Sequence, residues 1–287
     1  MVSASRVPVP DEATSERITW RRPQARVSFP DFGELWEHRE LVYFLTWRDV
    51  VVRYKQAALG VAWAVIQPVT NMVIFSVVFG GLANMPSDGI PYPLFTLAAL
   101  LPWNLFSGAV QRSSTSLVGN APLLTKVYLP KIVVPLSAVL AGLVDFAISV
   151  VVLILMMAFY RFPPSAGIVC LPLFTILALA CAFAVGLWLS SVNVQYRDVQ
   201  QLVPFLMQAW MYVSPVAYSS KVVPAGVWTT LYMLNPMVGV IEGFRWSLFG
   251  GPVPVAPIAV SCVVTLVLLV SGLLYFRRTE STFADVV

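Results

Sequence analysis

Two stripes of amide and aromatic side chains are the groups in this chain best placed to bind a polar ligand. Trp63, Gln67 and Asn71 recur at i, i+4 and i+8, so they share one face of a helix. The second stripe consists of Gln201, Phe205, Gln208 and Tyr212. Aromatic rings stack on the apolar C–H faces of sugars, while amides bond to their hydroxyl groups. Polar side chains on apolar helices also join neighbouring helices, so both interpretations stay open.

Ionisable residues are rare in the apolar segments. Asp145 lies in a long apolar run, and Glu242 with Arg245 forms a second cluster. Such groups are costly in hydrocarbon, so each needs a partner or a function. We expect Asp145 to bond to Ser149 one turn on, or to a neighbouring helix, with a functional role as the alternative.

The sequence lacks the motifs of common enzymes. No Gly-Lys pair occurs, so there is no phosphate-binding loop, and neither HExxH nor a nucleophile elbow is present. The three cysteines lie singly, without a CxxC pair. We therefore expect no catalytic residue, no metal site and no bound cofactor in this chain.

The composition is that of a membrane protein. Of the 287 residues, 58% are hydrophobic and 11% are charged, whereas soluble domains carry about 25% charge. The mean hydropathy is +0.79. We predict an all-α integral membrane protein with six transmembrane helices. The predicted crossings cover residues 61–83, 93–110, 132–160, 167–192, 199–218 and 253–276.

The segments outside these crossings have distinct patterns. Residues 1–30 are polar and predict a disordered cytoplasmic tail. Residues 31–60 carry a Trp and Tyr stripe that predicts an amphipathic helix lying at the membrane interface. Residues 222–249 form two apolar pieces, each too short to span, which predict a re-entrant hairpin. A six-helix domain then covers residues 61–278, and residues 279–287 form a second tail.

The basic residues predict the orientation. With a cytoplasmic N-terminus, only Arg161, Lys221 and Arg245 lie outside, and every other Lys and Arg lies inside. The positive-inside rule then places both termini in the cytoplasm, which agrees with an even number of crossings.

Several short motifs, in order over residues 35 to 280, resemble one transporter family. They are Arg53-Tyr54-Lys55 through Leu59-Gly60 to Trp63 and Gln67-Pro68; Leu101-Pro102-Trp103; Leu123-Leu124-Thr125-Lys126 with Leu129-Pro130-Lys131; Asn193-Val194 with Tyr196-Arg197-Asp198; Ser214-Pro215-Val216; and Asn235-Pro236. The chain resembles the transmembrane subunit of ABC-2 type exporters, in the branch that exports lipid-linked polysaccharides such as O-antigen, capsule and teichoic acid.

The resemblance implies three sets of functional residues. A coupling helix at about 120–130 would contact an ATPase through Asn120, Leu123, Leu124, Lys126, Tyr128 and Lys131. Outer gate helices at about 222–249 would include Trp228, Asn235, Pro236, Glu242 and Arg245. The substrate channel would be lined by Trp63, Gln67, Asn71, Trp103, Phe205, Gln208 and Tyr212.

The resemblance also implies the partners. Two copies of the chain would form a channel in the bacterial inner membrane, and two separate ABC ATPase subunits would bind ATP and Mg. The substrate would be a lipid-linked polysaccharide, in contact with membrane lipid and without any nucleic acid. An ABC-2 exporter of a small molecule such as a drug is the alternative. A stand-alone secondary carrier is disfavoured, because the chain has few intramembrane charges and no internal inverted repeat.

Overall fold

The computed structural model describes residues 32–55, 62–126, 129–224 and 226–280. Within these ranges the chain forms helices joined by turns, and no strand occurs in them. The all-helical prediction is therefore confirmed for the described residues. The predicted tail at 1–30, residues 281–287 of the second predicted tail, residues 56–61 and Tyr128 lie outside the described residues. Thr279, the first residue of that second tail, is the last residue of the final helix.

Five helical segments of the described chain are long and apolar enough to cross a membrane. They are Ala62–Leu82, Tyr92–Gly119, Val133–Phe159, Ala166–Gln195 and Val255–Thr279. Each exceeds the length of about 20 residues that a bilayer requires. Five of the six predicted crossings are thus confirmed as long apolar helices, and the chain is a multi-pass membrane protein.

Two helices precede the first of these segments. Helix α1 is Phe32–Glu37 and helix α2 is Arg39–Lys55. Helix α2 buries Leu45 and Val50 but leaves Tyr43 and Trp47 exposed, at 70% and 56%. The helix therefore has an inner apolar face and an outer aromatic one.

Helix α4 forms the centre of the bundle. Helix α3, Ala62–Phe75, continues as a π-helical turn over Ser76–Leu82, and α4 is Tyr92–Gly119. In the most apolar stretch of α4, 83% of the residues are buried inside the bundle, whereas in the segment Ala62–Leu82, formed by α3 and the π-helical turn, 11% are buried. Because α3 lies at the edge of the subunit, much of its surface remains available to lipid, to a second copy or to a ligand.

The third and fourth crossings pack on α4. Helix α5, Ala121–Lys126, is short, and α6, Val133–Leu140, is separated from α7, Gly142–Phe159, by a single residue. A 3₁₀ turn precedes α8, Leu171–Gln195. Buried side chains at one end of the bundle join α2, α4, α8 and the last helix; they include Leu45, Leu117, Leu129, Val194 and Phe276.

The predicted fifth crossing is shorter than expected. Helix α9 is Val199–Val213, with 15 residues, or about 22 Å at the helical rise. It ends at Ser214, whose backbone is extended, and Pro215 then restricts its neighbour to extended conformations. The predicted fifth crossing, residues 199–218, therefore stays a prediction.

The segment predicted as a hairpin forms two short helices. Helix α10 is Val227–Met233 and α11 is Pro236–Phe249. The amide oxygen of Asn235 accepts a hydrogen bond from the Met237 backbone N–H at 3.0 Å and so caps α11. Helix α11 is buried against α4, α8 and α12, which is Val255–Thr279, whereas α10 is mostly exposed.

Candidate functional site

A charged cluster joins the end of α2 to α7. Arg53 Nη1 and the Tyr54 hydroxyl each donate a hydrogen bond to one carboxylate oxygen of Asp145. Asp145 therefore bonds to a neighbouring helix, which was one of the two expected outcomes. Ser149 donates instead to the backbone carbonyl of Asp145, at 2.9 Å.

A second arginine approaches the same carboxylate from α4. Arg112 Nη1 lies 3.9 Å from Asp145 Oδ2, and Arg112 Nε donates to the Ala138 carbonyl at 3.2 Å. Two glycines make room for this guanidinium: a Cβ at Gly108 would lie 3.1 Å from Nη1, and a Cβ at Gly142 would clash with it. Sequence reasoning missed Arg112, because the predicted second crossing ends at residue 110, whereas α4 continues to Gly119.

Tyr54 remains a hydrogen-bond donor over the whole physiological range. Burial raises the pKa of Tyr54 to about 12, and its hydrogen bond to the Asp145 carboxylate and the charge of that group act in the same direction. The phenol is therefore neutral at neutral pH and keeps its proton for the carboxylate.

A cavity of about 470 Å³ lies beside this cluster, between α2, α3, α4 and α7. Trp63 and Gln67, from the first predicted stripe, line it together with the charged cluster. Amides from α4 face the same space, namely Asn104 and Gln111. Half of the Trp63 surface is exposed, so the cavity opens at the surface of the subunit.

The second stripe faces away from the subunit. On α9, Val203 and Met207 are buried, whereas Phe205 and Tyr212 are 70% and 55% exposed. Gln201 and Gln208 are exposed on the same helix, and Asn71 on α3 is half-buried. Trp103 is different, because it is buried inside the subunit with its ring 5.5 Å from that of Phe106.

The segment predicted to couple to an ATPase is anchored to the bundle on both sides. Arg48 on α2 donates to the amide oxygen of Asn120 at 2.7 Å, and Lys131 Nζ donates to the Glu280 carbonyl at 2.7 Å. Between them, Leu123 and Leu124 are half-buried, while Lys126 is exposed. Residues on either side of α5 are thus hydrogen-bonded to α2 and to the residue that follows α12.

The Arg245 side chain organises the opposite end. Its guanidinium carbon lies 3.6 Å from the centre of the Phe95 ring, and it donates to the carbonyls of Val216 and Tyr218 at 3.2 and 3.3 Å. The predicted partner Glu242 lies 3.5 Å away. This arginine thus fastens the turn after α9 to α11 and α4.

The other residues of the predicted outer gate have separate surroundings. Asn235 accepts a hydrogen bond from the Trp210 indole N–H at 2.9 Å and donates to Ser214 Oγ at 2.9 Å. Pro236 begins α11, and Trp228 on α10 is 68% exposed. Side-chain hydrogen bonds therefore join the predicted gate segment to the end of α9.

Comparison with known proteins identifies the family. The family model described as ABC-2 type transporter matches residues 40–249. The chain belongs to the ABC-2 type transporter family. The match runs from α2 to α11 and so includes both stripes, the charged cluster and α5. The family resemblance expected from the sequence motifs is confirmed.

Relatives within the ABC-2 family match nearly the whole chain. The O-antigen export system permease protein RfbA of Myxococcus xanthus is 28% identical over 88% of this chain and 97% of its own length. The protein of the same name from Klebsiella pneumoniae is 28% identical over 86% of this chain and 95% of its own length. The polysialic acid transport protein KpsM of Escherichia coli is 26% identical over 81% of this chain and 91% of its own length. This ABC-2 permease is thus homologous to export permeases for two kinds of polysaccharide.

Proposed function

We propose that this chain is the permease subunit of an ATP-driven exporter that moves a lipid-linked polysaccharide across the bacterial inner membrane. Two copies would form the channel, and a separate pair of ABC ATPase subunits would supply the energy. The observation that carries the proposal is the exposure of both aromatic and amide stripes on helices at the edge of a subunit whose relatives are named O-antigen export permeases.

The stripes on α3 and α9 support a channel between two copies. Exposed amides are unfavourable on a helix that faces lipid, because an unpaired polar group in hydrocarbon costs free energy. Gln67 on α3 and Gln208 on α9 are both exposed on the isolated subunit. A second copy that faces these helices across a water-filled passage gives the amides hydrated or sugar partners, and it gives Phe205 and Tyr212 a sugar to stack on.

The topology of this proposal has six crossings with both termini in the cytoplasm. Helix α9 and the turn that follows it make the fifth crossing, and α10 with α11 makes a re-entrant gate on the outer side. The exposed aromatic face of α2 suits the headgroup layer, where Trp and Tyr are enriched. Such an arrangement places α5 and its Lys126 on the cytoplasmic side.

The mechanism uses motion rather than chemistry within this chain. ATP binding draws the two ATPase subunits together and shifts α5. The hydrogen bond from Arg48 to Asn120 passes this shift to α2, which leads into α3, so that α3 and α9 of the two copies part. The substrate then passes between the stripes; ATP hydrolysis drives the cycle, and the different affinity of the substrate for the two states couples its movement to that cycle.

The decisive experiment is reconstitution of the chain with its ATPase in vesicles. We expect ATP-dependent movement of a lipid-linked glycan and, for the double variant Phe205→Ala with Tyr212→Ala, a reduction of about tenfold or more, since each ring–sugar contact resembles a stacking contact of about 1 kcal/mol. The matched control is Leu202→Ala, which removes an exposed apolar side chain from the same helix.

Two outcomes would contradict the proposal. Movement of the glycan without an ATPase would show that the chain is a secondary carrier. ATPase stimulation by a small apolar compound but not by the glycan would favour the small-molecule exporter.

A further inference from the structure

The cavity beside Asp145 carries an excess of positive charge. Among the described residues that line it, the charged ones are Arg53, Arg112 and Asp145. Two guanidinium groups thus share one carboxylate, and the Tyr54 hydroxyl adds a neutral donor to the same oxygen atoms. The site is built to hold an anion, and at present its anion is a side chain of the protein.

The donors around the cavity fit a phosphate group better than a second carboxylate. Guanidinium groups bind phosphate oxygens in a bidentate manner, and phosphate offers more oxygens and charge than Asp145 does. Gln67, Asn104 and Gln111 supply amide N–H groups around the same space. A cavity of about 470 Å³ lies within the range of about 300–1,000 Å³ that is usual for small ligands.

The position of the cavity favours a ligand that arrives from the bilayer. Trp63 lines the cavity and is 55% exposed. Helix α3 forms one wall, and only 11% of the apolar stretch in the segment Ala62–Leu82 is buried in the subunit. A lipid headgroup can therefore enter while its hydrocarbon tail stays along the exposed apolar side chains of α3, Ile66 and Val73, which lie beside the polar stripe rather than on it. In a glycan that is carried on a polyprenyl lipid, a phosphate or diphosphate group joins the lipid to the first sugar.

We propose that this cavity binds the diphosphate headgroup of a polyprenyl lipid, and that Asp145 occupies the two arginines until the headgroup displaces it. The proposal rests on the proposed function, because that function supplies the lipid-linked substrate. Displacement breaks the hydrogen bonds from Arg53 and Tyr54 to Asp145, so α2 is released from α7 when the substrate is present. The same residues thus recognise the headgroup and, in its absence, hold α2 to α7 through Asp145.

The test measures lipid binding by the full-length chain in complex with its ATPase, in a neutral detergent, by native mass spectrometry. The probes are undecaprenyl diphosphate and undecaprenol, which differ only in the diphosphate. We expect the diphosphate to bind at least about tenfold more tightly, and Arg53→Gln to remove about tenfold of that affinity. Arg53→Lys keeps the charge but loses the planar fork, so it should give an intermediate affinity.

Arg278→Gln is the matched control, because it removes an exposed arginine from the end of α12 and lies outside the cavity. Binding should be unchanged in this variant. Asp145→Asn should bind the diphosphate several-fold more tightly than the wild type, because the competing carboxylate is gone. Equal or weaker binding by Asp145→Asn would overturn the displacement of Asp145.

Two further results would overturn the site itself. The first is unchanged diphosphate affinity in both Arg53→Gln and Arg112→Gln, each shown by size-exclusion chromatography to remain folded. The second is equal competition by phosphatidylglycerol, which would assign the cavity to bulk anionic lipid. Either result, obtained together with intact glycan export, would refute the headgroup site and retain the proposed function. Loss of glycan export with unchanged selectivity for the diphosphate would instead refute the proposed function and retain the headgroup site.

Discussion

Arg48 on α2 and Asn120 at the end of α4 are joined by a hydrogen bond of 2.7 Å between Nη2 and the amide oxygen, although 72 residues separate them in the chain. Asn120 immediately precedes α5, so the bond connects the helix with the aromatic outer face to the segment proposed to contact the ATPase. Arg48 is also held by Asp49, at 2.8 Å, which fixes the direction of its guanidinium.

Arg48→Ala should weaken the coupling between the ATPase and this chain. The expected result is a loss of about fivefold in substrate-stimulated ATPase activity, which corresponds to a coupling free energy near 1 kcal/mol, with basal activity retained. The measurement is ATP hydrolysis by the reconstituted complex with and without substrate. Arg39→Ala is the control, because Arg39 lies on the same helix and, among the described residues, its hydrogen bond and its ring contact are both to the nearby Trp36. Equal stimulation in both variants would exclude Arg48 from coupling.

Arg245→Met should lower stability strongly. The Arg245 side chain is buried, and its loss leaves the carbonyls of Val216 and Tyr218 and the Glu242 carboxylate without their donor. Removal of one partner from such a buried arrangement costs about 3–5 kcal/mol. Thermal unfolding in detergent measures the effect. Lys221→Met is the matched control, since the Lys221 side chain is 76% exposed and its ion pair contributes less than about 1 kcal/mol. A shift for Arg245→Met no larger than that for Lys221→Met would contradict the anchoring role.

The sequence was sufficient for the helical class because apolar periodicity and length determine membrane spans directly. It placed the break at Asn235-Pro236 correctly, since a side-chain cap followed by proline is a local signal. It could not reveal the Arg53, Tyr54, Arg112 and Asp145 cluster. The four residues come from three helices, and their approach depends on Gly108 and Gly142 clearing space for one guanidinium. Only packing brings such residues together.

The limits of the crossings were also beyond sequence reasoning. The apolar run after Val199 continues to Tyr218, but the helix ends at Val213. Ser214 turns its hydroxyl back to the Trp210 carbonyl, and its own Oγ accepts from Asn235. The resemblance implied that Trp103 lines the channel, whereas in the isolated subunit α4 lies at the centre of the bundle and buries its side chain.

Asp88 should make the loop before α4 sensitive to acid. Partial burial alone would raise the pKa of Asp88, but the hydrogen bonds from Lys221 and Ser219 outweigh it and lower the pKa below its ordinary value of 3.8. A lowered carboxyl pKa stabilises the fold above the ordinary value, and that stabilisation is lost as the pH falls below it. Thermal unfolding is measured between about pH 6 and about pH 3, a range that brackets the ordinary pKa of a carboxyl group. Acid should destabilise Asp88→Asn less than it destabilises the wild type. Asp198→Asn, in an exposed turn, is the control, and an identical acid response in all three proteins would refute the assignment.

Gly239→Ala should disrupt the packing of α11 on α12. A Cβ at Gly239 would clash with the backbone carbonyl of Pro257 and with Ser261 Oγ, which accepts a hydrogen bond from the Gly239 N–H at 3.0 Å. Backbone cannot move aside as a flexible side chain does, so the two helices must separate, at a cost of about 1–3 kcal/mol or more. The expected result is a lower unfolding temperature in detergent. Gly119→Ala is the matched control: it also lies in a helix, but a Cβ there meets nothing within 4 Å. Since alanine is favoured over glycine in helices by roughly 0.5–1 kcal/mol, this control should be neutral or slightly stabilising. If Gly239→Ala were equally well tolerated, the close approach of α11 and α12 could not be what holds the gate segment against the bundle.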